Sequence, residues 1–241
     1  MIGYEIKENL LPNNYNHPDY DTSELIPLGL TIHETATPGA TDENEATYFH
    51  THNVSASAHY FVDYDSITRI IPENEKAWHA GPQANYRFLS IEMCNFSDPA
   101  KFQATWDRTI WLAADICVRY GFDPNNIEQL NTHNWISEAL GGTDHTDPDA
   151  YFAAHGKTWT DFVHAVITEM LLIGGDDVPM PPYEDWMGQQ GVKCINELAQ
   201  IPDAEGKPLI QNPTAHTGNV ALATPQWLFW SMIVRLAKRA K

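Results

Sequence analysis

Apolar positions along the chain fall into short runs and one long periodic stretch. Residues 1–24 are polar and rich in Asn, Pro and Tyr, which predicts an extended arm rather than a helix. Leu28–His33 is a short apolar run with β-branched residues near its end, the pattern of a buried strand. Thr41 followed by Asp42, Glu43 and Glu45 supplies an N-cap and an acidic first turn, so a helix is expected over Asp42–Thr51. Ala58–Asp63 and Ile67–Ile71, joined by Tyr64, Asp65 and Ser66, read as a hairpin, and Phe88–Cys94 reads as another buried strand. Phe102, Trp106, Ile110, Ala113 and Cys117 then recur at spacings of three and four behind a cap at Ser97 or Asp98. They predict a long helix that ends near Gly121. A last helix starts at Thr158 or Thr160 and runs through Leu172. Strands interleaved with helices, not strictly alternating and including a hairpin, predict an α/β domain with a mixed central β-sheet flanked by helices.

Gly174–Pro182 carries three prolines and reads as a stiffened linker. Beyond it, Trp186, Val192, Ile195, Leu198 and Ala199 fit one helical face, and Trp227, Trp230, Ile233 and Leu236 fit a second within Pro225–Lys238. The expected organisation is a main domain over 1–173, a linker over 174–183 and a small helical C-terminal module over 184–241. Such a short segment rarely makes a robust core alone. Three roles therefore stay open for the module: packing on the main domain, oligomerisation, or attachment to a target.

Charge narrows the partners. The net charge is −18, and the first 183 residues carry 27 acidic against eight basic side chains, while 184–241 carry five against six. Phosphate recognition needs the opposite sign, so nucleic acid is not an expected partner. No apolar run approaches the ~18 residues of a membrane span, so no membrane insertion is expected. Met1-Ile2-Gly3-Tyr4-Glu5-Ile6 lacks the regions of a signal peptide, so the protein is expected to be made and kept in the cytoplasm unless something else releases it. Cys94, Cys117 and Cys194 lie far apart, which argues against a disulfide framework and a thiolate metal knuckle and for buried reduced thiols.

The chemistry concentrates in Thr132–Pro148, where His133, His145 and Asp147 share a segment interrupted by Gly141 and Gly142. Imidazole nitrogen and carboxylate oxygen are ordinary zinc ligands, and a catalytic zinc takes three protein ligands and leaves one position for water. His33, where the Leu28–His33 run ends, is the best third candidate beside His133 and Asp147. On residue type alone these three are equally well ordinary strand-end and loop residues. Glu92 ends an apolar strand, where a lone carboxylate is costly to bury unless it is paired, bonded to neighbouring backbone, or working. Of the remaining histidines, His50 and His52 point to different sides of a helix end and read as solvated. His17, His155, His164 and His216 have no partner pattern.

Six blocks together carry a resemblance: Thr31–Ala36, Ser57–Val62, Ala77–Gly81, Ser90–Cys94, Thr132-His133 and Thr146-Asp147-Pro148. In this order, over about two-thirds of the chain, the sequence resembles the zinc-dependent N-acetylmuramoyl-L-alanine amidases (type 2) of the phage-lysozyme and peptidoglycan-recognition-protein fold. It is most similar to endolysins of phages and prophages that infect bacteria with Gram-positive-type walls. The resemblance implies a zinc (Zn2+) cofactor on His33, His133 and Asp147, with Glu92 as the general base. It further implies peptidoglycan as partner and hydrolysis of the bond between N-acetylmuramic acid and L-alanine, in phage-type lysis after release to the wall. Trp78 and His79 are expected to line the substrate groove, His59 to be a hydrogen-bonding core residue, and the C-terminal module to resemble those that follow amidase domains. Many relatives place a lysine two residues before the third ligand, to stabilise the oxyanion. This chain has His145, which carries full charge only when protonated, so a steeper pH dependence is expected. A muropeptide-recycling amidase, a non-catalytic peptidoglycan-binding module and another zinc amidohydrolase on the same scaffold remain alternatives.

Overall fold

The computed structural model describes residues 3–12, 24–52 and 54–174. The end of the expected linker, from residue 175, and the whole of the expected module at 184–241 lie outside the described residues, as do His17, Cys194 and His216.

Six strands form one sheet in the order β1-β4-β3-β5-β2-β6. They are β1 (Ile6–Glu8), β2 (Gly29–Glu34), β3 (Tyr60–Val62), β4 (Ile67–Arg69), β5 (Phe88–Met93) and β6 (Leu130–Thr132). β3 and β4 are the antiparallel hairpin, and every other neighbouring pair is parallel. The mixed sheet expected from the sequence is thus the sheet observed. β2 and β5 are interior strands, buried along nearly their whole length, and polar side chains alternate with apolar ones on both: Thr31 and His33 on β2, Ser90 and Glu92 on β5. Parallel pairing sets their carboxyl ends side by side, with Ile32 opposite Ile91 and His33 opposite Glu92.

The long helix α3 (Pro99–Tyr120) follows β5. Asp98 caps it by accepting from the backbone N–H groups of Ala100 and Lys101, Pro99 opens it, and Gly121 closes it in the left-handed region at φ +70°. All five residues of its predicted apolar stripe are buried, and the helix packs on the sheet and on α6 (Trp159–Gly174). At its N-terminus, α6 has a reciprocal pair in which Thr158 Oγ1 accepts from the Asp161 backbone and the Asp161 carboxylate accepts from the Thr158 backbone. It runs to Gly174, the first residue of the expected linker. α1 (Asp42–Thr51) has the boundaries read from its cap, with Thr41 and Asn44 forming a reciprocal capping box.

Three short helices complete the described chain: α2 (Pro82–Asn85), α4 (His133–Ala139) and α5 (Asp149–Ala154). A small apolar cluster of Ala80, Ala84, Phe88 and Ile136, covered by Trp135 and Leu140, joins α2 to α4. The loop before α2 also meets the Gly141-Gly142 turn directly. Gly81 sits at φ +82°, and a Cβ there would lie 2.8 Å from the Gly142 carbonyl oxygen, so only glycine fits on two counts. The loops carrying His79 and Asp147 run close against each other at that point. Cys94 and Cys117 are buried free thiols, and burial pushes Cys117 up to about 12.

Candidate active site

Three of the singled-out residues leave the sheet at neighbouring points. His33 is the fifth residue of β2, and His133 directly follows β6, whose Thr132 pairs with Ile32. Thr132 also caps α4 by accepting from the Trp135 backbone, which turns His133 inward as the first helical residue. Asp147 arrives from the loop after α4, its backbone carbonyl accepting from the Asn134 N–H at 3.2 Å. One ligand atom from each of His33, His133 and Asp147 lies within 4.8 Å of the others, a group that could hold a metal ion. His33 Nδ1 is 3.1 Å from both His133 Nδ1 and Asp147 Oδ2, and His133 Nδ1 is 3.0 Å from Asp147 Oδ1.

The donor set fits a metal on its own terms. Two imidazole nitrogens and a carboxylate converge on one point, a combination that zinc accepts. His33 and His133 are almost wholly buried, 1% and 4% exposed. Burial holds His33 below the ordinary imidazole range, favouring the neutral ring that ligation needs. Burial would raise Asp147, but the His133 and His33 rings against it hold its carboxyl well below the usual carboxylate range.

The other ring nitrogen of each histidine is tied down. His133 Nε2 is 2.8 Å from Thr143 Oγ1, and His33 Nε2 is 2.9 Å from His79 Nδ1. His79 Nε2 in turn lies 3.2 Å from the Phe88 carbonyl oxygen, and burial pushes this imidazole well below its ordinary range. Both nitrogens of His79 therefore face protein. The loop that carries it is fixed by Asn85 Oδ1, which accepts from the backbone N–H groups of His79 and Ala80. Trp78 is half-buried beside it, with Lys76 Nζ 5.7 Å from its ring centroid.

Glu92 stands next to His33 in the β2–β5 ladder. Its Oε2 is sealed from solvent and has no hydrogen-bond partner among the described residues. Burial, followed by the charges of Asp147, Glu45 and Glu34, drives its pKa well above the ordinary 4.5. A buried carboxyl with that bias binds a proton avidly, which is the property a general base needs. The reading of the sequence gave Glu34 and Glu45 no place in the site. Each is engaged by a neighbour, Asn95 and Thr37 respectively, and each is itself raised by burial.

His145 sits at the rim, its side chain 66% exposed, with Nδ1 3.7 Å from Asp147 Oδ1 and its ring 4.7 Å from that of His133. Ser137 Oγ fixes the local backbone by donating to the His145 carbonyl. His59 is a closed core residue. Its Nδ1 accepts from the Ser90 N–H, its Nε2 lies 3.0 Å from the Glu75 carbonyl, and burial lowers it to about 4. His155 stacks on Phe102, 3.8 Å between centroids.

An open, mostly parallel sheet with a metal-capable group at the carboxyl ends of its strands places the molecule among α/β proteins that bind their ligands at that edge. The chain belongs to the N-acetylmuramoyl-L-alanine amidase family, whose model matches residues 23–150. It is 30% identical over 190 residues to the bifunctional autolysin of Staphylococcus aureus (strain MSSA476), covering 73% of this chain and 15% of that protein. The chain thus spans only about a seventh of the length of that curated relative. Among solved structures, Staphylococcus aureus hydrolase AmiA in complex with its ligand aligns with a TM-score of 0.64 at 27% identity, over 75% of this chain and 90% of that one. The catalytic domain of XlyA shares the fold, with a TM-score of 0.55 at 24% identity over 67% and 99% of the two chains.

Proposed function

We propose that this protein hydrolyses the amide between the lactyl group of N-acetylmuramic acid and the L-alanine of the peptidoglycan stem peptide. The observation that carries the reading is the convergence of the His33, His133 and Asp147 donors beside the unanswered, buried oxygen of Glu92. Membership of the amidase family supplies the bond class.

In this reading His33, His133 and Asp147 hold zinc. A zinc ion held there would supply Lewis acidity toward water and the scissile carbonyl. Glu92 takes the proton from the attacking water and returns it to the departing amine of L-alanine. His145, at the rim and close to Asp147, donates a hydrogen bond to the carbonyl oxygen as it becomes an oxyanion. Trp78 offers an apolar wall to the glycan or peptide. Catalysis belongs to residues 1–173, and the module at 184–241 serves wall targeting, oligomerisation or packing. No helix among the described residues is long and apolar enough to cross a membrane.

The test is mass spectrometry of digests from several purified walls. New N-terminal L-alanine without new reducing ends is the expected result, and reducing ends alone would overturn it. Cutting between residues 175 and 182 is expected to leave residues 1–173 folded and active on soluble muropeptides. An unfolded fragment would show that the C-terminal residues complete its core.

A further inference from the structure

A buried carbonyl fixes the protons of two imidazoles in sequence. The Phe88 carbonyl oxygen can only accept, so the His79 nitrogen 3.2 Å from it, Nε2, is the one that carries hydrogen. A neutral imidazole has one N–H, which leaves His79 Nδ1 as an acceptor. His33 Nε2 lies 2.9 Å from that acceptor and therefore donates to it. The two rings stand edge-on at 85°, their centroids 5.1 Å apart. His33 Nδ1 is then bare, and this is the nitrogen that faces Asp147 and His133. The opposite assignment would leave a bare His79 Nε2 against the Phe88 carbonyl, two lone pairs confronting each other out of water.

We propose that His79 is the positioning residue that locks His33 in its metal-accepting tautomer, acting from behind the centre rather than touching substrate. This rests on the reading of His33 as a metal ligand. Such partners orient the ring and raise the basicity of the ligating nitrogen. They usually end in a carboxylate, a backbone carbonyl or water. Here a second imidazole is interposed, so the carbonyl that sets the tautomer is one ring removed from the ligand. The geometry is rigid because Asn85 clamps the backbone on both sides of the His79–Ala80 peptide.

The decisive measurement uses the unaltered, metal-free full-length protein labelled with 15N-histidine. Long-range proton–nitrogen correlations at neutral pH are expected to show His33 and His79 both protonated at Nε2 and bare at Nδ1. A proton on Nδ1 of either ring overturns the proposal without any variant. Zinc affinity by chelator competition gives the second readout. His79→Phe, which keeps the bulk and removes the acceptor, is expected to weaken zinc binding by about 10- to 100-fold. His79→Asn, whose Oδ1 falls near the place of Nδ1, is expected to recover much of that loss. Unchanged affinity in His79→Phe, or equal weakening in both variants, would overturn the assignment. If the unaltered protein takes up no zinc, the metal reading fails instead, while the tautomers of the metal-free protein remain readable.

Discussion

The surroundings of His59 and of His33 bury imidazoles only a few residues apart along β5, whose Ser90 and Glu92 alternate onto one face. Around His59 the lone pairs and protons cancel. Ser90 gives its N–H to Nδ1, Nε2 meets the Glu75 carbonyl, and nothing is left over. Around His33 only the rear nitrogen is answered in that way. The front nitrogen, that of His133 and both oxygens of Asp147 point into one another, and Glu92 Oε2 points at no hydrogen-bond partner among the described residues. Buried polar groups cost free energy unless they are paired. The first cluster is what a fold makes when a histidine is structural, and the second is a group that could hold a metal ion. Burial and residue type do not separate the two; the direction of the lone pairs does.

That contrast is open to attack in four places. The largest effect is expected at the convergent group. Replacing His33, His133 or Asp147 by Ala is expected to abolish stoichiometric zinc, measured by elemental analysis, together with wall hydrolysis. Zinc retained in all three variants would break the contrast outright.

Glu92→Gln comes next. Turnover is expected to fall by roughly two to four orders of magnitude with zinc retained, the usual scale of general acid–base catalysis. The same substitution bears on stability. Because burial raises the pKa of Glu92 in the folded state above its ordinary 4.5, folded and unfolded chains are both protonated well below that value and no penalty exists. As pH rises past 4.5 the unfolded chain ionises first, and stability is lost until the folded carboxyl ionises too. The metal-free variant is therefore expected to match the parent near pH 4 and to melt higher at neutral pH. Calorimetry at the two pH values checks both halves, and parallel melting curves would contradict the strain assigned to this carboxyl.

His145→Ala is expected to cost about two orders of magnitude in turnover if its hydrogen bond to the oxyanion is lost. His145→Lys, which keeps a donor at that place, is expected to retain most of that turnover with zinc content unchanged. Identical turnover for the three proteins on one soluble muropeptide would remove His145 from the chemistry. The smallest effect is expected in the closed cluster. His59→Leu takes away the acceptor of the buried Ser90 N–H, costing about 1–3 kcal/mol in denaturant unfolding. Its zinc affinity and its turnover per folded molecule are expected to stay as in the parent. Lost zinc affinity would show that the two clusters are one.

Much of this frame can be read in the chain before folding. β2, β5, α1 and α3 announce themselves through apolar runs, helical spacing and caps, and their boundaries agree to within a residue or two. β1 and β6 do not, because each is three residues long and polar in part, too short for a period to register. β6 exists because Leu130, Asn131 and Thr132 find partners on β2, a fact about a segment a hundred residues away. The same limit holds at the site. The histidines and Asp147 stand out by residue type, whereas the tie from His33 to His79 depends on a loop fixed by Asn85 and on the reach of the Phe88 carbonyl. His79, expected in the groove, turns both nitrogens inward for reasons that no local pattern encodes.

The register of β2 on β5 has a consequence for how such a site can change over generations. His33 and Glu92 are neighbours because both are counted along one hydrogen-bonded ladder. Since side chains alternate with period two, deleting one residue upstream within either strand would carry its key side chain to the opposite face. Exchanging one apolar residue for another of similar volume would leave the count intact. The inheritance of this site is thus stricter in length than in letters. Single-residue insertions and deletions within Gly29–Glu34 or Phe88–Met93 are expected to be purged from a selected library, while conservative substitutions there survive. The loops between the strands are free to lengthen and diversify, and new specificities have their raw material there.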